Sequence, residues 1–127
     1  MYLFVVTYND EHKTADLINR YKEKDIRGAT IIDTMGSGRY VDVENYLSKP
    51  VIVGIKRMLE HHFVHNRTLY MIIRTKETLR DAIRITEEVL GDLTKPGTGI
   101  MFAIPVMYVK GGSFSQPELY HDAFDLD

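Results

Sequence analysis

The sequence predicts an α+β fold of the ferredoxin-like type, β-α-β-β-α-β, with two helices on one face of a four-stranded antiparallel sheet. Three observations predict it. Four segments rich in apolar, β-branched and aromatic residues read as strands. Two stretches with apolar residues at helical spacing separate the first strand from the second and the third from the fourth. The 127 residues, 44% hydrophobic and 27% charged, have the length and composition of one globular domain.

The first strand is Tyr2–Tyr8, "YLFVVTY", whose continuous apolar run suits an interior position. Asn9 and Asp10 follow as candidate helix caps, because a short side-chain oxygen accepts from an otherwise orphan amide. Leu17, Ile18 and Tyr21 mark the inner face of the first helix, which stops near Asp25. Ile26 and Gly28 lead into the second strand, "ATIIDT". The third strand is predicted over Thr68–Arg74, "TLYMIIR". Thr75 or Thr78 caps the second helix, whose stripe is Leu79, Ala82, Ile83, Val89 and Leu90, and Gly91 ends it. The fourth strand is predicted over Ile100–Val109. Pro105 cannot donate to a ladder, so it belongs at an edge, a bulge or a strand end.

Strands one, three and four carry apolar residues on both faces, which a half-solvated sheet would not. Oligomerisation through the face opposite the helices follows as an expectation. With no cysteine the chain has no disulfide, thiol nucleophile or thiolate metal site. Its net charge of −2 lacks the basic footprint of a nucleic-acid binder. The longest uncharged stretch, Pro96 to Val109, has 14 residues, short of the roughly 20 that span a bilayer. The start lacks the basic region of a signal peptide. These features point to a cytoplasmic protein that is not embedded in a membrane.

Between strands two and three, residues 39–67 form an excursion far longer than a hairpin needs, and such loops are usually functional. Ser48 and Pro50 precede Ile52, Ile55 and Leu59 at helical spacing, which predicts a short amphipathic helix in this arm. The arm also holds "EHHFVH", where His61 and His65, four apart, would share a helix face with Glu60 nearby. The well-spaced signature of a metal centre is missing, and no metal site is expected. The remaining division is a domain at 1–112 that includes the arm, followed by an acidic tail at 113–127.

Two segments carry the functional signal: "GATIIDTMGSGR", Gly28 to Arg39, and "KPGTGIMF", Lys95 to Phe102. Together they resemble the PII signal-transduction family and its PII-like relatives. The first is similar to that family's second strand and the base of its long T-loop, the second to its B-loop. The resemblance covers about residues 1–110. It implies a homotrimer that binds adenine nucleotides (AMP, ADP or ATP) as effectors in clefts between subunits, with no cofactor required. It also implies regulation of a target protein, a membrane transporter or an enzyme, through residues 39–67, in control of nitrogen or related metabolism. Carried over by position, Thr30 would meet the adenine end, Gly36, Ser37, Gly38 and Arg39 would form the loop base, and Gly97, Thr98 and Gly99 would lie along the phosphates. A glycine-rich turn lets main-chain amides approach an anion, and a guanidinium matches phosphate oxygens.

The chain departs from the typical pattern at Ile100, where PII proteins carry lysine after the second glycine. After the last strand it has only Lys110 in place of arginines. Fewer charged contacts imply weakened affinity for a polyphosphate. Three other readings stand beside this one: a turn that merely starts the fourth strand, a CutA-like metal-binding trimer using the arm histidines, and a nucleotide hydrolase using Asp33. No nucleophile-and-base pair supports catalysis, and the chain is not expected to be an enzyme.

Overall fold

The computed structural model describes residues 1–37, 64–112 and 114–119. Its strands are β1 (Tyr2–Tyr8), β2 (Thr30–Gly36), β3 (Val64–Ile73) and β4 (Gly99–Pro105), with α1 at Thr14–Glu23 and α2 at Lys76–Leu90. These form one four-stranded sheet in the order β2-β3-β1-β4, every pair antiparallel. This is the predicted ferredoxin-like α+β arrangement. The apolar β1 lies in the interior, between β3 and β4.

Both helices cover one face. Even-numbered residues of β1 (Phe4, Val6, Tyr8) and odd-numbered residues of β3 (Leu69, Met71, Ile73) face them and are almost wholly buried. They pack with Leu17 and Tyr21 of α1 and Ala82, Ile85 and Leu90 of α2. Burial of this set removes most of its apolar area from water, at about 25 cal/mol per Å². The opposite face of β4 is open: Ile100, Phe102 and Ile104 remain 57%, 45% and 47% exposed, covered by none of the described residues.

Local chemistry fixes the helix ends. Asp10 accepts from the His12 amide at 3.2 Å and opens a single 3-10 turn, Glu11–Lys13, that leads into α1. Thr75 Oγ1 accepts from the Thr78 amide at 3.1 Å and caps α2, and the Gly91 amide closes its far end on the Glu87 carbonyl.

Two element boundaries differ from expectation. Strand β3 begins at Val64, not Thr68, because β2 runs on to Gly36 and pairs through Asp33↔Arg67, Met35↔His65 and Gly36↔Val64. His65 is therefore an exposed strand residue and has no helical partner at a spacing of four. The predicted fourth strand stops at Pro105. A separate hairpin follows, β5 (Tyr108–Gly111) with β6 (Phe114–Leu119), paired at Gly111↔Phe114 and Tyr108↔Leu119. Proline ends the β4 ladder, and Gly111 and Gly112 turn the chain. The predicted helix near Ile52–Leu59, and His61, lie outside the described residues.

Candidate functional site

The Gly97-Thr98-Gly99 turn enters β4 at the end of the sheet where β1 finishes, with Gly99 opposite Tyr8. Its two glycines do different work. Gly97 holds φ +75, a left-handed conformation that side chains resist, with open space where a Cβ would stand. Gly99 passes so close to β1 that a Cβ would lie 2.4 Å from the Thr7 carbonyl oxygen, so only glycine fits there. Thr98 turns its hydroxyl inward, donating to the Lys95 carbonyl at 2.8 Å. At the start of this connection, the Thr94 hydroxyl and amide hold the Asp92 carboxyl below the usual carboxylate range.

Across the sheet end, Asn9 Nδ2 donates to the Gly97 carbonyl and ties the turn to the close of β1. A cavity of about 140 Å³ lies between them, walled by Tyr8, Asn9, Asp10, Lys13, Leu90 and the turn itself. Tyr8 also bonds the Thr14 hydroxyl, and burial raises the pKa of its phenol, so it stands as a neutral wall. Asn9 and Lys13 did not emerge from sequence as site residues. Nothing local signals a contact between residues 88 positions apart; only the β1–β4 register brings them together.

The other predicted residues lie elsewhere. Thr30 begins β2 on the open face opposite Tyr70, while Gly36 ends β2 and Ser37 follows it. Gly38 and Arg39 fall outside the described residues. Gly36 and the glycine turn share one end of the sheet but occupy opposite edges, three strand spacings or about 14 Å apart. Within one copy these two groups of residues do not converge.

Asp33 is held on the helix side of β2, where its Oδ1 accepts from Arg67 Nε at 3.0 Å; Arg67 Nη2 also reaches Glu11 Oε2 at 3.4 Å. Among the described residues no group of three or more His, Asp or Glu side chains could hold a metal ion, and no helix is long and apolar enough to cross a membrane.

No family model and no curated protein matches the chain. Among solved structures it is similar to Arabidopsis thaliana PII bound to citrate, at 17% identity and a TM-score of 0.62, over 92% of this chain and 88% of that one. The chain thus has the ferredoxin-like fold of a PII protein.

Proposed function

We propose that the protein is a PII-type regulator: a homotrimer, acting in the cytoplasm, that binds a small anionic effector in clefts between copies and controls a partner protein through the segment between β2 and β3. The effector class we assign is an adenine nucleotide. The observation that carries this reading is the division of the site. The second-strand residues Thr30, Gly36 and Ser37 and the turn Gly97–Gly99 lie at opposite edges of one sheet, so a second copy is needed to bring an edge of each kind together. The open apolar face supplies the driving force for that association.

The PII neighbour holds citrate, a small polyanion, which agrees with an anion as effector. Both ends of the chain between β2 and β3 emerge at the sheet end that carries the glycine turn. A ligand at that end is well placed to favour one arrangement of the intervening residues. It does so only by its differential affinity for the two arrangements, about 1.4 kcal/mol for each tenfold change in ratio. Regulation, not turnover, is the role we assign.

The test combines sedimentation with titration calorimetry. The expected result is a trimeric mass, heat on adding at least one of AMP, ADP and ATP, and an altered protease cleavage pattern between β2 and β3 when nucleotide is bound. A monomer at every working concentration, or no heat from all three nucleotides, overturns the proposal.

A further inference from the structure

Typical PII proteins draw charge for the phosphate from a lysine after the second glycine, and here that position is Ile100, 57% exposed on the open face. The cavity beside Gly97 offers a different source. Lys13 lies in its wall, at the last residue of the 3-10 turn, and no carboxylate forms an ion pair with it among the described residues. The other wall groups suit an anion of limited charge. Asn9 spends one N–H of its amide on the Gly97 carbonyl and keeps a second, since an Asn side chain carries two. The Gly97 amide donates to no acceptor among the described residues. Tyr8 and Leu90, both buried, back the cavity, and a charge-assisted contact formed against them is less screened than one in open water.

We propose that Lys13 is the cation that serves the glycine turn, and that the cavity takes a single phosphate group. This rests on the anion-sensing reading above and narrows it. Size and charge set the limit. The cavity, about 140 Å³, has room for one phosphate group beside the glycine turn. Asp10, whose Oδ1 accepts from the His12 amide, stands in the same wall and offsets the lysine. Against this wall a triphosphate would set several charges beside one ammonium and one carboxylate. A nucleoside monophosphate brings one phosphate and leaves none over.

The experiment is calorimetry on the full-length protein with AMP, ATP and inorganic phosphate, in wild type, Lys13→Gln, Lys13→Arg and, as a remote control, Lys76→Gln. Gln removes the charge and keeps a hydrogen-bonding end on a shorter stem. Loss of one charge-assisted contact should weaken AMP binding roughly ten- to hundredfold in Lys13→Gln. Lys13→Arg should restore most of it, Lys76→Gln should leave it unchanged, and ATP should bind no more tightly than AMP. Equal AMP affinity in wild type and Lys13→Gln overturns the role of Lys13 while leaving nucleotide sensing intact. ATP binding more than tenfold tighter than AMP overturns the single-phosphate limit. If wild type binds no nucleotide, the sensing proposal fails by itself, and inorganic phosphate decides this one: binding lost in Lys13→Gln upholds it, and no binding in wild type ends it.

Discussion

At the scale of single residues, the core is pinned by one buried polar chain. Tyr21 of α1 and Thr86 of α2 are both almost wholly buried, and their hydroxyls are hydrogen-bonded. The Thr86 hydroxyl donates to the Ala82 carbonyl at 2.7 Å, so it accepts from the Tyr21 phenol, which must stay protonated. Burial pushes the Tyr21 pKa up to about 12, against the bond to Thr86, which lowers it. The folded pKa is raised above the unfolded value near 10. The associated stability is therefore complete below about pH 10 and is lost as pH climbs toward 12. A shift of that size corresponds to about 3 kcal/mol, as an order of magnitude. Urea midpoints measured at pH 8 and pH 11.5 should fall steeply for wild type and less steeply for Tyr21→Phe. Tyr8, also raised by burial, leaves the variant a residual slope of the same sign. An equal fall in both proteins would mean that another group governs the alkaline limb.

Elements differ in how far they could be read beforehand, and the difference is physical. Helices α1 and α2 were legible because their signals are local: Leu17 and Tyr21 on one stripe, Ala82 and Leu90 on the other, and a threonine cap at Thr75. Ile85 and Thr86 are buried as well, though the predicted stripe passed over both. The start of β3 was not legible. His65, Asn66 and Arg67 are polar, and they become strand only because β2 offers a ladder to pair with. The β5–β6 hairpin was hidden by the polar Ser115, Gln116 and Glu118, which read as tail. The glycine turn was legible as a motif, while its neighbours Asn9 and Lys13 were not, because their proximity is created by strand pairing. Pairing also decides what Gly99 must be. Replacement by Ala puts a Cβ against the fixed backbone oxygen of Thr7, with φ +152 unfavourable besides. Gly99→Ala should cost about 2 kcal/mol or more, seen as a lower thermal midpoint. A variant as stable as wild type would show that β4 can start one residue later without penalty.

For the whole molecule, the open face of the sheet has to be reconciled with water. Across β3, β1 and β4 the register stacks Ile72 beside Leu3 and Ile104, and Tyr70 beside Val5 and Phe102. These rows are contiguous apolar surface, of a kind monomers rarely leave exposed. Toward the end that carries the glycine turn the character changes. Thr68 Oγ1 lies 2.8 Å from Thr7 Oγ1 and 2.9 Å from Thr34 Oγ1, a hydroxyl ladder across three strands that satisfies its own polar groups and so tolerates being covered. A face that is apolar over most of its length and self-satisfied over the rest is suited to association with copies of itself. Phe102 occupies its middle, on the side away from the helices and 45% exposed, so a charge there should leave the protomer folded. Phe102→Glu is expected to reduce the sedimenting mass from oligomer to protomer while far-ultraviolet circular dichroism stays unchanged. On the proposed division of the site between two copies, effector binding should be lost together with assembly. Retained binding by a folded protomer would place the complete site within one copy and remove the cleft from the account.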